Sequence, residues 1–235
     1  MFKLKNGQEI NIQHENSFDP NLTTKLIYEA ASNFITEPNM DILEVGCGCG
    51  VISLAIATEF QSLSPSLCLS DLSEGAVLDA KLNFKNYNVV ADIRKGSVLS
   101  PWISDQKKYD LIIDDISGVI NKIAEISPWF TKAPYATGDT GVELLLEFLD
   151  KSSTLLKPNG SIIFPLLNLS RMDIGLKAAR EKFEIIEVVS KEWPIPEELA
   201  NVNGFIDLCQ IYGIEVKRKF GSYIGTTAVF SGKVK

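Results

Sequence analysis

Apolar and polar residues alternate from Phe2 to Ile12 around an Asn6-Gly7 pair. Asn-Gly supplies the two positive-φ positions of a tight hairpin turn, so this stretch predicts a β-hairpin. Asp19 and Pro20 then read as an N-cap and a first helical residue, and a helix is expected from about Asn21 to Phe34. Glu37-Pro38-Asn39 breaks it, and a strand begins at Met40.

From Met40 onward, short apolar runs alternate with longer helical stretches. Strands are expected at Met40 to Val45, Leu67 to Ser70, Asp92 to Lys95 and Tyr109 to Asp114. Helices are expected between them at Val51 to Phe60 and Glu74 to Asn86. A helix at Gly141 to Leu156 should end at the turn Lys157-Pro158-Asn159-Gly160, which launches a strand at Ser161 to Leu167. Helix Met172 to Lys182 and strand Phe183 to Val189 follow. Pro194 and Pro196 introduce a helical insertion, about 196–212, before strands at Ile214 to Lys219 and Ser222 to Ser231. Strands alternating with helices imply an α/β, doubly wound, mostly parallel sheet covered on both faces. Residues 1–38 form an N-terminal hairpin and helix packed on the core, which occupies residues 39–235. No internal repeat or separating linker is visible.

One segment concentrates the chemistry. Residues 41 to 50 read Asp-Ile-Leu-Glu-Val-Gly-Cys-Gly-Cys-Gly. An apolar strand runs into Glu44, then into glycines at alternate positions, Gly46, Gly48 and Gly50, with a strongly apolar helix behind them. The first βα turn of a doubly wound sheet is where such folds bind nucleotide-like ligands. The third glycine comes one residue too early for the dinucleotide fingerprint. Glu44 would also repel a pyrophosphate and attract an ammonium. Asp71 ends the next strand, about twenty residues past the turn, where an acid can accept both hydroxyls of a ribose. It also reads as a cap for the helix that follows Ser73.

This arrangement resembles motif I of the class I S-adenosylmethionine-dependent methyltransferases, Glu/Asp-x-Gly-x-Gly-x-Gly. Leu155-Leu156-Lys157-Pro158-Asn159-Gly160 is similar to that family's turn before strand five. The N-terminal hairpin and the turn Gly138-Asp139-Thr140-Gly141 are similar to those of the branch that modifies release-factor glutamine. The resemblance implies a seven-stranded sheet with an antiparallel last strand. It also implies S-adenosyl-L-methionine as cofactor, held by Glu44, Gly46, Cys47, Gly48, Gly50, Asp71, Leu72, Ser97 and Asp114. Leu72 would pack on the adenine. Ser97 stands where many relatives carry Asp, and it reads equally as a solvated loop serine.

After strand four the family pattern is Asn/Asp-Pro-Pro-aromatic, which presents carbonyls and a ring to a planar amide or base. Here the segment is Asp115-Ile116-Ser117-Gly118, so the release-factor activity is not expected to carry over. Asp115, with Glu125 ten residues on, is similar to the paired acids of protein arginine methyltransferases. Two such carboxylates would hold a cationic amine and take up its proton. They are the expected catalytic pair, although Glu125 also reads as a solvated helix residue. Trp129, Phe130 and Tyr135 read either as walls of an acceptor pocket or as packing under the loop. His14 reads as a surface residue or as a base.

Composition narrows the partners. The chain of 235 residues carries a formal net charge of −7, and its richest basic run is Lys217-Arg218-Lys219. That balance argues against large nucleic-acid substrates. No stretch approaches the roughly 20 apolar residues of a membrane span. The N-terminus lacks the apolar core of a signal peptide, so a cytoplasmic protein is expected. Cys47, Cys49, Cys68 and Cys209 read as small buried thiols, and no metal site is expected. The leading reading is a methyltransferase acting on a small molecule or peptide, at nitrogen. A protein or RNA methyltransferase and a catalytically silent cofactor-binding partner subunit are the alternatives.

Overall fold

A computed structural model of the chain describes residues 1–116, 118–130 and 137–235. Ser117 and Tyr135 lie outside the described residues.

Strands β1 (Phe2–Lys3) and β2 (Glu9–Ile10) pair antiparallel with Phe2 opposite Ile10. Gly7 closes the turn at φ 88°. Helix α1 (Leu22–Ser32) follows. Its cap is Asn21, not Asp19: Asn21 is extended, and its side chain accepts from Thr23 N at 2.7 Å and Thr24 N at 3.4 Å. Asp19 instead accepts from His14 Nδ1 at 2.8 Å.

The alternating part begins with β3 (Asp41–Val45), α2 (Val51–Glu59), β4 (Ser66–Asp71), α3 (Glu74–Asn86), β5 (Asp92–Lys95) and β6 (Tyr109–Asp114). It continues through α4 (Asn121–Ile126), α5 (Glu143–Ser152), β7 (Leu156–Leu167), α6 (Met172–Lys182) and β8 (Phe183–Pro194). Helices α7 (Glu197–Ala200) and α8 (Phe205–Ile211) and strands β9 (Lys217–Lys219) and β10 (Ser222–Val234) complete it. The sheet order is β5-β4-β3-β6-β7-β10-β8, with β9 on β10. Strands β3 to β7 pair in parallel, and β10 runs antiparallel between β7 and β8. The seven-stranded sheet expected from the sequence is present, with β9 as a short eighth member.

Several boundaries differ from expectation, for local reasons. Lys157 to Gly160 is a bulge inside β7, where Leu156 faces Tyr109 but Ser161 already faces Leu111. Asn159 provides the left-handed residue there, at φ 67°. Helix α5 is shorter than expected: Glu143 folds back to accept from Thr140 N and Val142 N and starts it late, and Leu156 already pairs with Tyr109 in β7. Strand β8 runs on to Pro194 because β10 pairs with it as far as Ile224. The helical insertion is split in two at Gly204, φ 87°.

Alternation along β3 and β6 sorts their side chains between two cores. Ile42, Leu111 and Ile113 join α1 and α2 on one face. Leu43, Val45 and Ile112 join α5 and α6 on the other. Helix α2 is buried from Val51 to Ala57, which accounts for its lack of a polar face. Phe2, Leu4 and Ile10 belong to the first core, with Phe2 edge-on to Tyr28 at 5.5 Å. A third cluster, on α4, α7 and α8, closes the end of the sheet beyond β7 and β8. Among the described residues, no helix is long and apolar enough to cross a membrane.

Candidate active site

A cavity of about 700 Å³ runs along the C-terminal ends of the parallel strands. That is where open α/β sheets bind ligands, and the volume lies within the range of about 300–1,000 Å³ usual for small-molecule sites. Its floor is made by the loops after β3, β4, β5 and β6. Its far wall comes from Leu167 and Trp193, at the ends of β7 and β8. Residues 16–24, leading into α1, form its roof.

The three glycines of the β3–α2 turn have positive φ: 70° at Gly46, 52° at Gly48 and 75° at Gly50. Their surroundings differ. A Cβ on Gly46 would stand 2.9 Å from the backbone of Asp115 and Ile116, so this glycine lets β3 and β6 converge. A Cβ on Gly50 would meet the Phe84 ring at 2.9 Å, so that one seats α3. Gly48 meets nothing within 4 Å and borders the cavity. Its missing side chain leaves an open cradle on the cavity side of the turn.

Asp71 spans that cradle. Its carboxylate accepts Gly48 N at 2.9 Å and Ser73 N at 2.8 Å, and it lines the cavity. Burial pushes its pKa up, against those two donors. The cap of α3 is Ser73, whose hydroxyl accepts from Ala76 N, so Asp71 braces the glycine turn and the loop before the helix without capping it. Leu72, Cys47 and Ser97 also line the cavity, and Leu72 is exposed to it.

Strand parity divides the remaining acids. Glu44 points toward α2, not into the cavity, and is fully buried. Its Oε2 accepts Ser53 N at 2.9 Å and the Ser53 hydroxyl. Its Oε1 accepts nothing from the described residues. Burial pushes its pKa up to about 7. Glu44 therefore sits behind the glycine turn, anchoring the first turn of α2. Asp114 faces the α5 side, accepts Ile116 N at 2.8 Å, and is pushed by burial to about 7. It borders a separate small pocket with Val142 and Leu145, and so lies outside the main cavity.

Asp115, one residue on, faces the α1 side and lines the main cavity. Its pKa is raised well above the carboxylate range, first by burial and then by Glu44, Asp114 and Asp71, while the Thr24 hydroxyl pulls it down. Glu125 does not join it. It is exposed on α4, pairs with Lys122 at 3.0 Å, and is not part of the cavity wall. The two carboxylates expected to act together are separated because α4 turns that face to solvent.

The four cysteines are buried. Burial raises every thiol, Cys49 to about 12 and Cys209 to about 11. That fits packing and not nucleophilic chemistry. His14 is paired with Asp19 and lies off the cavity wall.

Sequence reasoning missed three contributors. Thr24, in the first turn of α1, reaches Asp115. Trp193 closes the wall above β8. Asn83 of α3, almost fully buried, accepts Gln13 N at 2.7 Å and donates to Gln13 O at 2.7 Å and Cys49 O at 3.0 Å, tying the roof segment to the glycine turn. Nearby, Asp79 accepts from Asn16 N, Asn16 Nδ2 and Ser17 Oγ. A buried Asp and Asn four residues apart on a predicted helix was the signal available for this clamp.

The model of the methyltransferase small domain matches residues 19–115, from the roof segment to the end of β6. Release factor glutamine methyltransferase of Dictyoglomus turgidum is 30% identical over 161 residues, 64% of this chain and 54% of that protein. The Bacillus subtilis protein of the same name is 24% identical over 184 residues, covering 76% of this chain and 60% of its own. The chain thus spans little more than half the length of these curated relatives. Among solved structures, ribosomal protein L11 methylase from Lactobacillus delbrueckii subsp. bulgaricus superposes with a TM-score of 0.57 at 18% identity, over 96% of this chain and 86% of that one. The Thermus thermophilus 16S rRNA N2 G1207 methyltransferase gives 0.59 at 13% identity, over 99% and 49%. These two share the fold. The chain has the class I methyltransferase fold and is related to the release factor glutamine methyltransferases.

Proposed function

We propose that the chain is an S-adenosylmethionine-dependent methyltransferase that modifies a nitrogen of a small molecule or peptide. One observation carries this reading: a single cavity connects the open cradle at Gly48 and Asp71 with the carboxylate of Asp115. The cradle fits the cofactor. Gly48 leaves room for it, Asp71 offers oxygens to a ribose, and Leu72 and Ser97 flank the place of a base. When bound, the cofactor supplies an electrophilic methyl on a sulfonium.

The protein's own part is placement and proton handling. Asp115 and Thr24 offer oxygen partners to an acceptor N–H, and the deprotonated Asp115 can take its proton. The roof from Asn16 to Thr24 keeps water from the space between. Ile116 and Gly118 replace the proline and aromatic that would clamp a planar amide, so release-factor glutamine is not the acceptor we expect. The names of the curated relatives favour a protein acceptor as the second reading.

Calorimetry with S-adenosylmethionine and with S-adenosylhomocysteine tests the cofactor. A Kd in the micromolar range, about −8 kcal/mol, is expected. Incubation with labelled cofactor and a release factor tests the acceptor, and the factor should stay unlabelled. Binding of NAD with no response to S-adenosylmethionine would overturn the reading. Labelled release factor would establish the second one.

A further inference from the structure

We infer that the acceptor is a small amine with an aromatic ring, and that Trp193 is the residue that selects the ring. This rests on the methyltransferase reading above and gives its acceptor a chemical class.

Trp193 ends β8 on the acceptor side of the cavity, beyond β6 and β7. Three separate features of the sequence fix its indole. Its partner across β10 is Gly225. A Cβ there would lie 2.5 Å from the indole Cζ2, so the ring lies flat over the β10 backbone only because that residue is glycine. Glycine inside a strand marks such a close approach. Second, the indole Nε1 donates to Thr227 Oγ1 at 3.0 Å, and Thr227 is fully buried. Third, Trp129 stands edge-on to it, with ring centroids 5.9 Å apart and planes at 64°.

The same threonine leads to α1. Thr227 Oγ1 lies 3.3 Å from Thr23 Oγ1, and the next residue, Thr24, lines the cavity together with Asp115. Helix α1 thus touches the support of the indole and the wall that carries the carboxylate. A wall of two indoles with a fixed carboxylate suits a ligand that offers a π-face to the wall and an N–H to Asp115. The cavity must also hold the cofactor, and what remains of its 700 Å³ suits a single ring and a short chain.

The test uses the full chain saturated with S-adenosylhomocysteine and reads amine binding by calorimetry, with tryptophan emission as a second report wherever Trp193 is present. The chain has three tryptophans. Trp102 is buried and bonded to Ser70 Oγ, away from the cavity wall, so Trp102→Phe removes background emission. The probes are benzylamine, 2-phenylethylamine, 2-cyclohexylethylamine and the tripeptide Gly-Gly-Gln. The aromatic amines should quench emission and bind at least tenfold more tightly than the cyclohexyl amine. Trp193→Ala should abolish that preference while S-adenosylhomocysteine affinity stays unchanged. Trp193→Phe should keep part of the preference, and Gly225→Ala, which displaces the indole, should weaken it. Equal binding of the flat and puckered rings would overturn the inference, as would no binding of any amine, preferential binding of the tripeptide, or a preference that survives Trp193→Ala. Calorimetry keeps the two claims apart. If the protein does not bind S-adenosylhomocysteine, the methyltransferase reading fails; if it binds and the ring preference is missing, only this inference fails.

Discussion

The two halves of the cavity are built on different plans. The half proposed for the cofactor lies over β3, β4 and β5 and takes its lining from Gly46 to Ser97, within a continuous βαβαβ stretch. The half proposed for the acceptor lies over β6, β7 and β8. It draws on Thr24, Asp115, Trp129, Leu167 and Trp193, which no short segment contains. The match to the methyltransferase small domain ends at Asp115, where the first plan gives way to the second. A half built from one segment is fixed by local backbone geometry. A half gathered from distant segments can change its ligand without disturbing the fold.

The strongest way to break this comparison is Gly46→Ala, since Gly46 is where the halves touch. A Cβ would meet the Asp115 backbone at 2.9 Å in a left-handed conformation. Strain and displacement should cost about 2–4 kcal/mol in chemical denaturation, and should weaken cofactor and acceptor binding together. An unchanged stability would mean that the strands do not converge there.

Asp71→Ala should act on one half alone. S-adenosylhomocysteine should bind about 1.5–3 kcal/mol more weakly by calorimetry, the scale of charge-assisted hydrogen bonds. Part of that loss would come from the freed Gly48 N–H.

Asp115→Asn should act on the other half. kcat/KM should fall at least tenfold, about 1.4 kcal/mol, with cofactor affinity nearly constant. The raised pKa of Asp115 makes a pH profile informative. If the carboxylate takes the proton, kcat/KM should rise with pH to well above the usual carboxylate range, and the Asn variant should lose that limb.

Glu44 offers a finer test, because it serves the turn from behind. Its folded pKa, about 7, lies above the unfolded value near 4.3. The folded state then binds more protons, so the protein without cofactor should lose stability as pH rises from about 4.3 to about 7. Glu44→Gln should flatten that slope and gain about 1 kcal/mol at pH 8 by urea denaturation. An unchanged slope would assign the pH dependence to Asp114, which is shifted in the same direction. Last, Glu125→Gln should leave kcat/KM unchanged, because its partner is the solvated Lys122.

Legibility in the sequence followed the same division. Gly46, Gly48, Gly50 and Asp71 were readable because turn geometry and strand ends are local properties. The doubly wound, mostly parallel sheet was readable from the alternation of strands and helices, and its antiparallel last strand from the resemblance; the strand order comes from pairing between distant segments. Asp115 was found because it follows a buried strand, but whether Asp114 or Asp115 faces the cavity depends on pleat parity against α1. Trp193 was missed because the apolar run seemed to end at Val189. Only pairing with β10 carries β8 on to Pro194. Gly225 was the clue, a lone glycine in a strand, but its meaning lies in a contact 32 residues away in sequence.

The amide of Asn83 has a consequence for how the molecule responds to ligands. It holds Gln13 on one side and Cys49 on the other, so the stretch that leads into the roof and the glycine turn cannot loosen independently. Whatever stabilises the turn must slow the opening of the roof, and by thermodynamic reciprocity a loosened roof must weaken binding at the turn by the same factor. Hydrogen exchange at residues 13–15 would therefore report cofactor binding from outside the cavity wall. Asn83→Ala should silence that report, leaving two neighbouring segments that no longer sense each other.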